Sequence, residues 1–277
     1  TPIVPVFRIT TLFSPTTSNE TILVGNTGAC TLALGDDTQW SAIYGYTCIE
    51  FTDEDKTEQV VPMSGTFSKF YLYNTVADSS GSYTGTVRKN KVNTAVACTV
   101  SAGSPGNCSD TVDSFTVVAG DTVDIGWTGA ATVASKVAWG IKFTVDDADS
   151  FPLMATSSNG STDATDPDHL AIISGKMQVG TDYFNESETL ADTMEINSMR
   201  VKIEAAPGAG KSWTFTLRKN LANTGMACTI SDSVTTCTDS TPTVSFTKRD
   251  TLVTRIDAAS APAATEAVTV GYRAKFV

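Results

Sequence analysis

Short runs of alternating apolar and polar residues recur along the whole chain. Because successive side chains of a strand point to opposite faces of a sheet, this alternation predicts half-buried β-strands. Turn-forming Gly, Asn, Asp and Ser residues separate the runs, and no stretch has the apolar spacing of a long amphipathic helix. The first half of the chain has predicted strands at residues 7–12, 21–24, 42–51, 66–73, 83–88, 96–100, 114–118, 122–127 and 137–145. The pattern therefore predicts an all-β protein.

The chain contains the same β-rich unit twice. Residues 84–99 (TGTVRKNKVNTAVACT) match residues 214–229 (TFTLRKNLANTGMACT) at ten of sixteen positions without a gap. The likeness continues to a last strand in each copy, in which we align Val137 with Val270. A length of 277 residues is enough for two domains that each bury a core. We predict a first domain at residues 1–148 and a second at 149–277, with the boundary in an acidic, turn-rich stretch.

The number of strands and their connections favour one kind of sandwich. About eight strands per copy, with long connections before the cysteine hairpin, indicate a jelly roll, and an immunoglobulin-like sandwich is the alternative. The cycle Thr-x-Arg-Lys-Asn, Cys-Thr-Val/Ile-Ser and Gly/Arg-Asp-Thr resembles tandem jelly-roll domains of virion structural proteins and extracellular surface fibres. That resemblance implies a structural or binding role and assigns no catalytic residue.

The repeat also selects a disulfide pairing. Six cysteines allow fifteen pairings, but matching cysteines in the two copies indicate one bond within each copy. Three disulfides are therefore expected: Cys30–Cys48, Cys98–Cys108 and Cys228–Cys237. Free thiols or metal ligands are the alternative, although the chain has no Cys-x-x-Cys element. Disulfides imply an oxidising location, which we interpret as extracellular, on a secreted filament or a virion.

Charge and hydropathy restrict the partners. The net charge of −11 and the pI near 4.5 argue against binding to nucleic acid or to an anionic membrane surface. No apolar run reaches the roughly 20 residues that a helix needs to span a bilayer. We therefore expect neither a nucleic acid partner nor membrane insertion.

Candidate catalytic chemistry is sparse. His169 is the sole histidine, and it follows a polar, turn-like segment without an evident counterpart in the first copy, so we place it in a solvated loop. No two carboxylates are grouped with aromatic platforms as glycoside hydrolysis requires. We predict no enzyme activity, no catalytic residue and no cofactor, and a secreted hydrolase is the least supported function.

Two further polar features have both a binding and a structural interpretation. Three acidic clusters, at residues 53–55, 146–149 and 163–168, offer oxygen ligands for calcium, but none has EF-hand spacing, so we interpret them as turns and predict no metal site. The repeated motif at 88–90 and 218–220, Arg-Lys-Asn, is interpreted as a turn in which Asn adopts a positive φ, with the Arg along a sheet edge.

Four Asn-x-Ser/Thr triplets are candidate glycan acceptors. Asn107 is the least suitable because Cys108 is expected to be bridged. The remaining candidates are Asn19, Asn159 and Asn185, which would carry a glycan only in a host that glycosylates this sequence.

The function we favour is a structural subunit that assembles with copies of itself into an extracellular filament or a virion surface or shell. Residues 1–13 form an N-terminal arm that has a strand-like pattern and no clear partner in the second copy. Such an arm could add as a strand to a neighbouring subunit. Its candidate contact residues are Ile3, Val4, Val6, Phe7 and Ile9.

The alternative is a carbohydrate-binding or adhesin module on a cell or phage surface, with glycans as partners. Sugar binding requires exposed aromatic side chains. The candidates are Trp40, Tyr44, Tyr46, Trp127 and Trp213. The strand pattern buries Trp127 and Trp213, which leaves the region from Trp40 to Tyr46 as the candidate platform.

Overall fold

The computed structural model describes most of the chain. The described residues are 19–27, 38–46, 53–74, 81–101, 106–129, 136–157, 162–172, 175, 177–179, 187–265 and 267–277. Within them no helix is long and apolar enough to cross a membrane. The predicted N-terminal arm and the proposed Cys30–Cys48 bond lie outside the described residues.

In its described residues the first domain has ten strands and one 3-10 turn, at Glu54–Lys56. The strands are β1 (Glu20–Asn26), β2 (Gln39–Ser41), β3 (Gly45–Tyr46), β4 (Gln59–Val60), β5 (Gly65–Asn74), β6 (Tyr83–Lys89), β7 (Val92–Val100), β8 (Asn107–Val117), β9 (Thr122–Gly129) and β10 (Val137–Val145). They form two sheets, in the orders β3-β1-β10-β5-β8 and β2-β9-β6-β7, with β4 also on β9.

The second domain repeats this arrangement with the remaining strands. They are β11 (Ser150–Thr156), β12 (Asp168–Leu170), β13 (Met177–Val179), β14 (Glu188–Thr189), β15 (Met194–Ile203), β16 (Gly208–Lys219), β17 (Ala222–Asp232), β18 (Thr236–Asp239), β19 (Val244–Phe246), β20 (Thr251–Ala259) and β21 (Val268–Phe276). The sheets have the orders β11-β21-β15-β18 and β13-β12-β20-β16-β17, with β19 on β15 and β14 on β20. The predicted boundary between residues 148 and 149 stays a prediction.

The pairing order identifies both sandwiches as jelly rolls. In the first domain the outermost strands along the chain pair with each other, β1 with β10, and successive inner pairs follow: β2 with β9, β5 with β8, and β6 with β7. The second domain has the same nested pairs: β11 with β21, β12 with β20, β15 with β18, and β16 with β17. The prediction of an all-β chain of two jelly-roll domains is confirmed.

Each sandwich has its own apolar core, which follows from the alternation in the sequence. Strand β10, for example, buries every second residue from Val137 to Val145. Trp127 and Trp213 are fully buried in their respective cores, as the strand pattern predicts. Large aromatic side chains contribute strongly to such a core because each removes much apolar area from water.

The two disulfides that the structure describes connect the two sheets of each sandwich. Cys98 on β7 is bonded to Cys108 on β8, and Cys228 on β17 is bonded to Cys237 on β18. The bonds close loops with sequence separations of 10 and 9 residues. This confirms the pairing that the repeat predicts for these four cysteines, and it indicates an oxidising environment.

The repeated Arg-Lys-Asn motif forms the same turn in both domains. Asn90 and Asn220 have φ values of 49° and 47°. Asn90 donates through Nδ2 to Asp121 at 2.7 Å and accepts at Oδ1 from the Thr122 backbone N–H at 2.8 Å. In the second domain, Asn220 makes the equivalent bonds to Asp250 at 2.6 Å and from Thr251 at 2.8 Å. The prediction that the Lys-Asn part of the motif forms a turn, with Asn at a positive φ, is therefore confirmed.

We expected the arginine of that motif to lie along a sheet edge, but the structure places it on an inner strand. Arg88 belongs to β6, which has β9 on one side and β7 on the other. Its guanidinium lies 4.7 Å from the centre of the Trp40 ring and its Nε donates to Glu54 at 2.8 Å. The side chain thus crosses the outer face of the sheet. It has no sheet edge to cover, because β6 is an inner strand whose backbone groups are paired on both sides.

The strand pairing defines which residues of the two domains are equivalent. Leu72 pairs with Cys108 and Trp139, as Val201 pairs with Cys237 and Val270. The last strands are therefore offset by two residues from the alignment suggested by sequence. Val137 corresponds to Val268, since the carbonyl of each accepts a hydrogen bond from the residue that follows the first strand of its domain, from the Thr27 N–H at 3.0 Å and from the Ser157 N–H at 2.8 Å.

Candidate functional site

The two domains meet where residues 56–62 of the first domain cross the outer face of a sheet in the second. This face is formed by β11, β21 and β15. The Val60 backbone N–H donates to Thr269 Oγ1 at 2.9 Å, and Thr156 Oγ1 donates to the Lys56 carbonyl at 3.3 Å. Gln59 donates through Nε2 to the Met154 carbonyl at 3.4 Å. We call residues 56–62 the docking segment of the first domain.

The docking segment also makes one ion pair and one close backbone contact across the junction. Glu58 pairs through Oε2 with Lys202 Nζ at 2.5 Å, and the Glu58 side chain is almost completely buried. The Val60 carbonyl lies directly over Gly271, so closely that a β-carbon at this position would clash with it. Met154 is fully buried and packs into the apolar core of the first domain. Around residues 58–60 the junction therefore combines close backbone packing with polar contacts.

A buried carboxyl supports the docking segment from below. Asp124 on β9 accepts a hydrogen bond from Thr57 Oγ1 at 3.4 Å. Burial, followed by the negative charges of Glu54 and Glu58, raises the pKa of Asp124 well above its usual value. This shift in pKa favours the neutral form of Asp124, which adds no further negative charge beside those two carboxylates.

The first domain presents the equivalent sheet face to solvent. Strand β5 directs Phe70 and Leu72 into the core and Tyr71 and Tyr73 outward, and these tyrosines are 52% and 56% exposed. On β1 the outward residues Ile22 and Val24 are 44% and 56% exposed. Gly140 of β10 lies between these strands. We call the residues Ile22, Val24, Tyr71, Tyr73 and Gly140 the open face.

Each position of the open face has a partner in the covered face of the second domain. The strand register matches Val24 with Met154 and Gly140 with Gly271. Tyr71 and Tyr73 match Arg200 and Lys202 in the same way. In the second domain Met154, Gly271 and Lys202 contact the docking segment, and Arg200 lies beside Gly120 of the first domain. In the first domain no described residue lies over Gly140. A β-carbon there would meet Val24 Cγ1 at 3.8 Å and Leu23 O at 3.9 Å, an ordinary contact.

The open face is a shallow groove that also includes Asn107, Cys108 and Ser109 on β8. Contiguous exposed apolar side chains on a monomer mark sites of interaction with another molecule. We did not identify this face from the sequence, because Phe-Tyr-Leu-Tyr is apolar on both sides of the strand. The available signal was the glycine at position 140, in the middle of a strand where a side chain would otherwise be favoured.

His169 is not in a solvated loop. It lies in β12, is almost completely buried, and its Nε2 is 3.3 Å from Arg218 Nη1. It also has a counterpart in the first domain, contrary to our expectation. The register of β2 and β12 on their neighbours makes Trp40 equivalent to His169, and each contacts the arginine of the repeated motif.

The predicted sugar platform around Trp40 is largely engaged in contacts within the chain. The Arg88 guanidinium covers one face of the half-buried Trp40 ring. Burial, and then the negative charge of Glu188, raises the pKa of the half-buried Tyr44 phenol. Tyr44 also accepts a hydrogen bond from Gln59 through its carbonyl, at 2.9 Å. The side chain of Tyr46 lies outside the described residues.

The acidic clusters take part in local hydrogen bonds. Asp53 accepts from the Asp55 backbone N–H at 3.1 Å and caps the 3-10 turn. Asp147 pairs with Arg273. Asp163 accepts from the backbone and hydroxyl of Thr165, whereas Asp168 is buried in β12. Among the described residues no three His, Cys, Asp or Glu side chains are grouped so that they could hold a metal ion.

Of the candidate glycan acceptors, Asn159 and Asn185 lie outside the described residues. Asn19 precedes β1, and its Nδ2, the atom that a glycan would modify, donates to the Val145 carbonyl at 3.2 Å. Glycosylation therefore stays a prediction. The predicted subunit contacts, at Ile3, Val4, Val6, Phe7 and Ile9, lie outside the described part of the chain and stay a prediction.

Comparisons with known proteins do not assign a family. No family model and no curated protein matches the chain. Among solved structures, a Paenibacillus xanthan lyase determined to 2.6 Å is similar with a TM-score of 0.25 and 11% identity. The match covers 93% of this chain but 25% of the lyase, so this chain spans about a quarter of its length. Similarity at this level supports no statement about activity.

Proposed function

We propose that the protein is a structural subunit that assembles with copies of itself into an extracellular filament or into the surface or shell of a virion. The observation that supports this most directly is the open face, in which two tyrosines and two aliphatic residues stand about half exposed on a rigid sheet. The proposal assigns no catalytic residue and no cofactor.

Other features are consistent with an assembly outside the cell. The disulfides favour an oxidising location, and the tandem jelly rolls resemble those of virion proteins and surface fibres. In this proposal the N-terminal arm, residues 1–13, adds a second contact by joining a sheet of a neighbouring subunit. The net charge of −11 would keep the separate subunits soluble.

Electron microscopy of the purified full chain, together with light scattering over a range of concentrations, tests this proposal. We expect ordered fibres or closed particles that grow with concentration. A chain that stays a monodisperse monomer at every concentration would contradict it. Deleting residues 1–13 then tests the arm separately: unchanged assemblies would show that the arm is not a connector.

Carbohydrate binding is the second candidate, and the same face favours it. Residues two apart on one strand point to the same side, about 6.6 Å from each other, so Tyr71 and Tyr73 are neighbouring aromatic side chains on one face. Aromatic surfaces of this kind can stack on sugar rings. A glycan array distinguishes the two functions, because binding that is lost in Tyr71→Ala and Tyr73→Ala would support the second, and no signal would exclude it.

A further inference from the structure

We infer that a second copy of this chain occupies the open face, and that it does so with residues 187–192 of its second domain. The contact between the two domains of one chain would then be repeated between chains. This inference rests on the proposed function, since it specifies the surfaces through which the subunits assemble.

The second domain carries its own version of the docking segment. Gln59 pairs with Val123 on β9, and Glu188 pairs with the equivalent Leu252 on β20. Beyond these pairs, Val61 donates to the Asp121 carbonyl at 2.8 Å and Leu190 donates to the Asp250 carbonyl at 2.9 Å. The two segments thus have the same backbone position relative to their domains. We call residues 187–192 the second docking segment.

This segment presents its tip to solvent. Thr189, which corresponds to Val60, is exposed, and so are Ala191 and Asp192. In the first domain, by contrast, Val60 is buried at the junction.

The glycine pair shows that both acceptor faces suit a close backbone approach. Gly271 cannot carry a side chain because the Val60 carbonyl lies over it. Gly140 is the same residue at the same position, but within the described part of its chain nothing requires a glycine there. A glycine inside a strand costs about 0.5–1 kcal/mol relative to alanine. A docking segment from another chain, lying over Gly140, would exclude a side chain there as the Val60 carbonyl does at Gly271.

The chemistry of the two contacts changes in a matched way. Glu58 of the first docking segment forms an ion pair with Lys202. The equivalent positions are Ser187 on the second docking segment and Tyr73 on the open face, so the acidic and the basic partner are both replaced by uncharged residues. Neither surface would therefore bury an unpaired charge at this position. The intrachain junction has an ion pair at this point, whereas the contact between chains would have two uncharged residues. At the next position Glu188 replaces Gln59, and its negative charge already acts on Tyr44 of its own chain.

The geometry determines the kind of assembly. The docking segment and the acceptor face are different surfaces, so the contact is heterologous. Each chain uses one docking segment and one acceptor face in its own junction, which leaves one of each for neighbouring chains. Heterologous contacts that do not close into a ring generate open, helical polymers. Contacts of this kind that do close form a ring, so this inference predicts a ring or a filament and not a symmetric dimer.

Two variants of the full chain test the inference, one for each surface. Gly140→Val places a branched side chain on the open face, where β-branched residues suit a strand. Thr189→Arg places a long charged side chain on the second docking segment. We expect each variant alone to remain monomeric at concentrations at least tenfold above that at which the wild type assembles. Val92→Arg, on an exposed position of β7 in the other sheet, is the matched control and should assemble normally.

Mixing the two variants gives the most specific result. Each retains the surface that the other lacks, so an equimolar mixture should form one-to-one pairs that do not elongate, measurable by sedimentation velocity. Thermal melting shows whether each variant is folded, and Tyr73→Glu replaces Gly140→Val if that variant is not. A wild type that assembles while both variants assemble equally well would overturn this inference and leave the proposed function standing. A wild type that never assembles would overturn both.

Discussion

The carbonyl oxygen of Val60 lies over the α-carbon of Gly271, so that the backbone of one domain rests directly on a strand of the other. Around this point the Val60 N–H and the Glu58 carboxylate are both satisfied by groups of the second domain. The junction therefore depends on the lack of a side chain at a single position. Its equivalent, Gly140, makes no comparable contact within the described residues.

Gly271→Ala should lower the free energy of unfolding by about 1–3 kcal/mol, because the added methyl group forces the docking segment away from the sheet. Gly140→Ala is the matched control and should be neutral or slightly stabilising, since it adds a methyl group without a clash. Urea denaturation followed by intrinsic fluorescence measures both, at a concentration where the protein is monomeric. Equal effects of the two substitutions would contradict this account of the junction.

Replacing Cys98 and Cys108 together by serine should lower the free energy of unfolding by about 2–3 kcal/mol. The bond closes a short loop and ties one sheet to the other, so its loss frees the unfolded chain. The double replacement of Cys228 and Cys237 should have an effect of similar size. Denaturation with and without a reductant is the measurement. An unchanged midpoint in both double variants would contradict the prediction.

Asn90→Ala should destabilise the first domain by about 2 kcal/mol, because it removes two hydrogen bonds and places alanine at a positive φ. Asn90→Gly isolates the two causes, since glycine adopts this φ without strain and loses only the hydrogen bonds. We expect Asn90→Gly to recover roughly 1 kcal/mol of the loss. Asn220 provides an independent repetition in the second domain. Identical stabilities for the alanine and glycine variants would show that the backbone conformation is not responsible.

Asp168 should make stability depend on pH near neutrality. Burial, opposed by the hydrogen bond from the Asp163 backbone, raises its pKa to about 7. Because the folded pKa lies above the unfolded one near 4, the contribution of the protonated form is complete below pH 4 and is lost as the pH rises through about 7. The free energy of unfolding of the wild type should therefore fall between pH 4 and pH 8 by more than that of Asp168→Asn. The variant gains stability relative to the wild type as the pH rises. Parallel pH profiles of the two proteins would contradict this.

The sequence predicts the scaffold well because the scaffold repeats. Cys98 and Cys228 lie in the stretch where the two copies match at ten of sixteen positions, so the repeat indicates their pairing without any distance information. The same reasoning failed for the last strand, where the shared Val and Lys-Phe residues suggested an alignment that the backbone pairing shifts by two positions. A strand register depends on contacts with neighbours that the sequence of one strand does not contain.

The candidate site was harder to predict because it depends on which of two similar faces is covered. Tyr71 and Arg200 both point outward from equivalent strands. The residues of these two strands do not indicate that the other domain covers one strand and leaves the other exposed. His169 presents the converse case. Its polar flanks favour a loop, but β12 inserts it beside Arg218, where tertiary contacts decide its burial.

The connection between the domains has a consequence for reversibility. Four residues, 146–149, join β10 to β11, so the docking segment and its acceptor in one chain remain at a high effective concentration that dilution does not change. A contact of the same design between separate chains would follow mass action. A polymer built through these faces would consequently have alternating permanent and reversible joints, and dilution would release intact two-domain chains as its smallest exchangeable units.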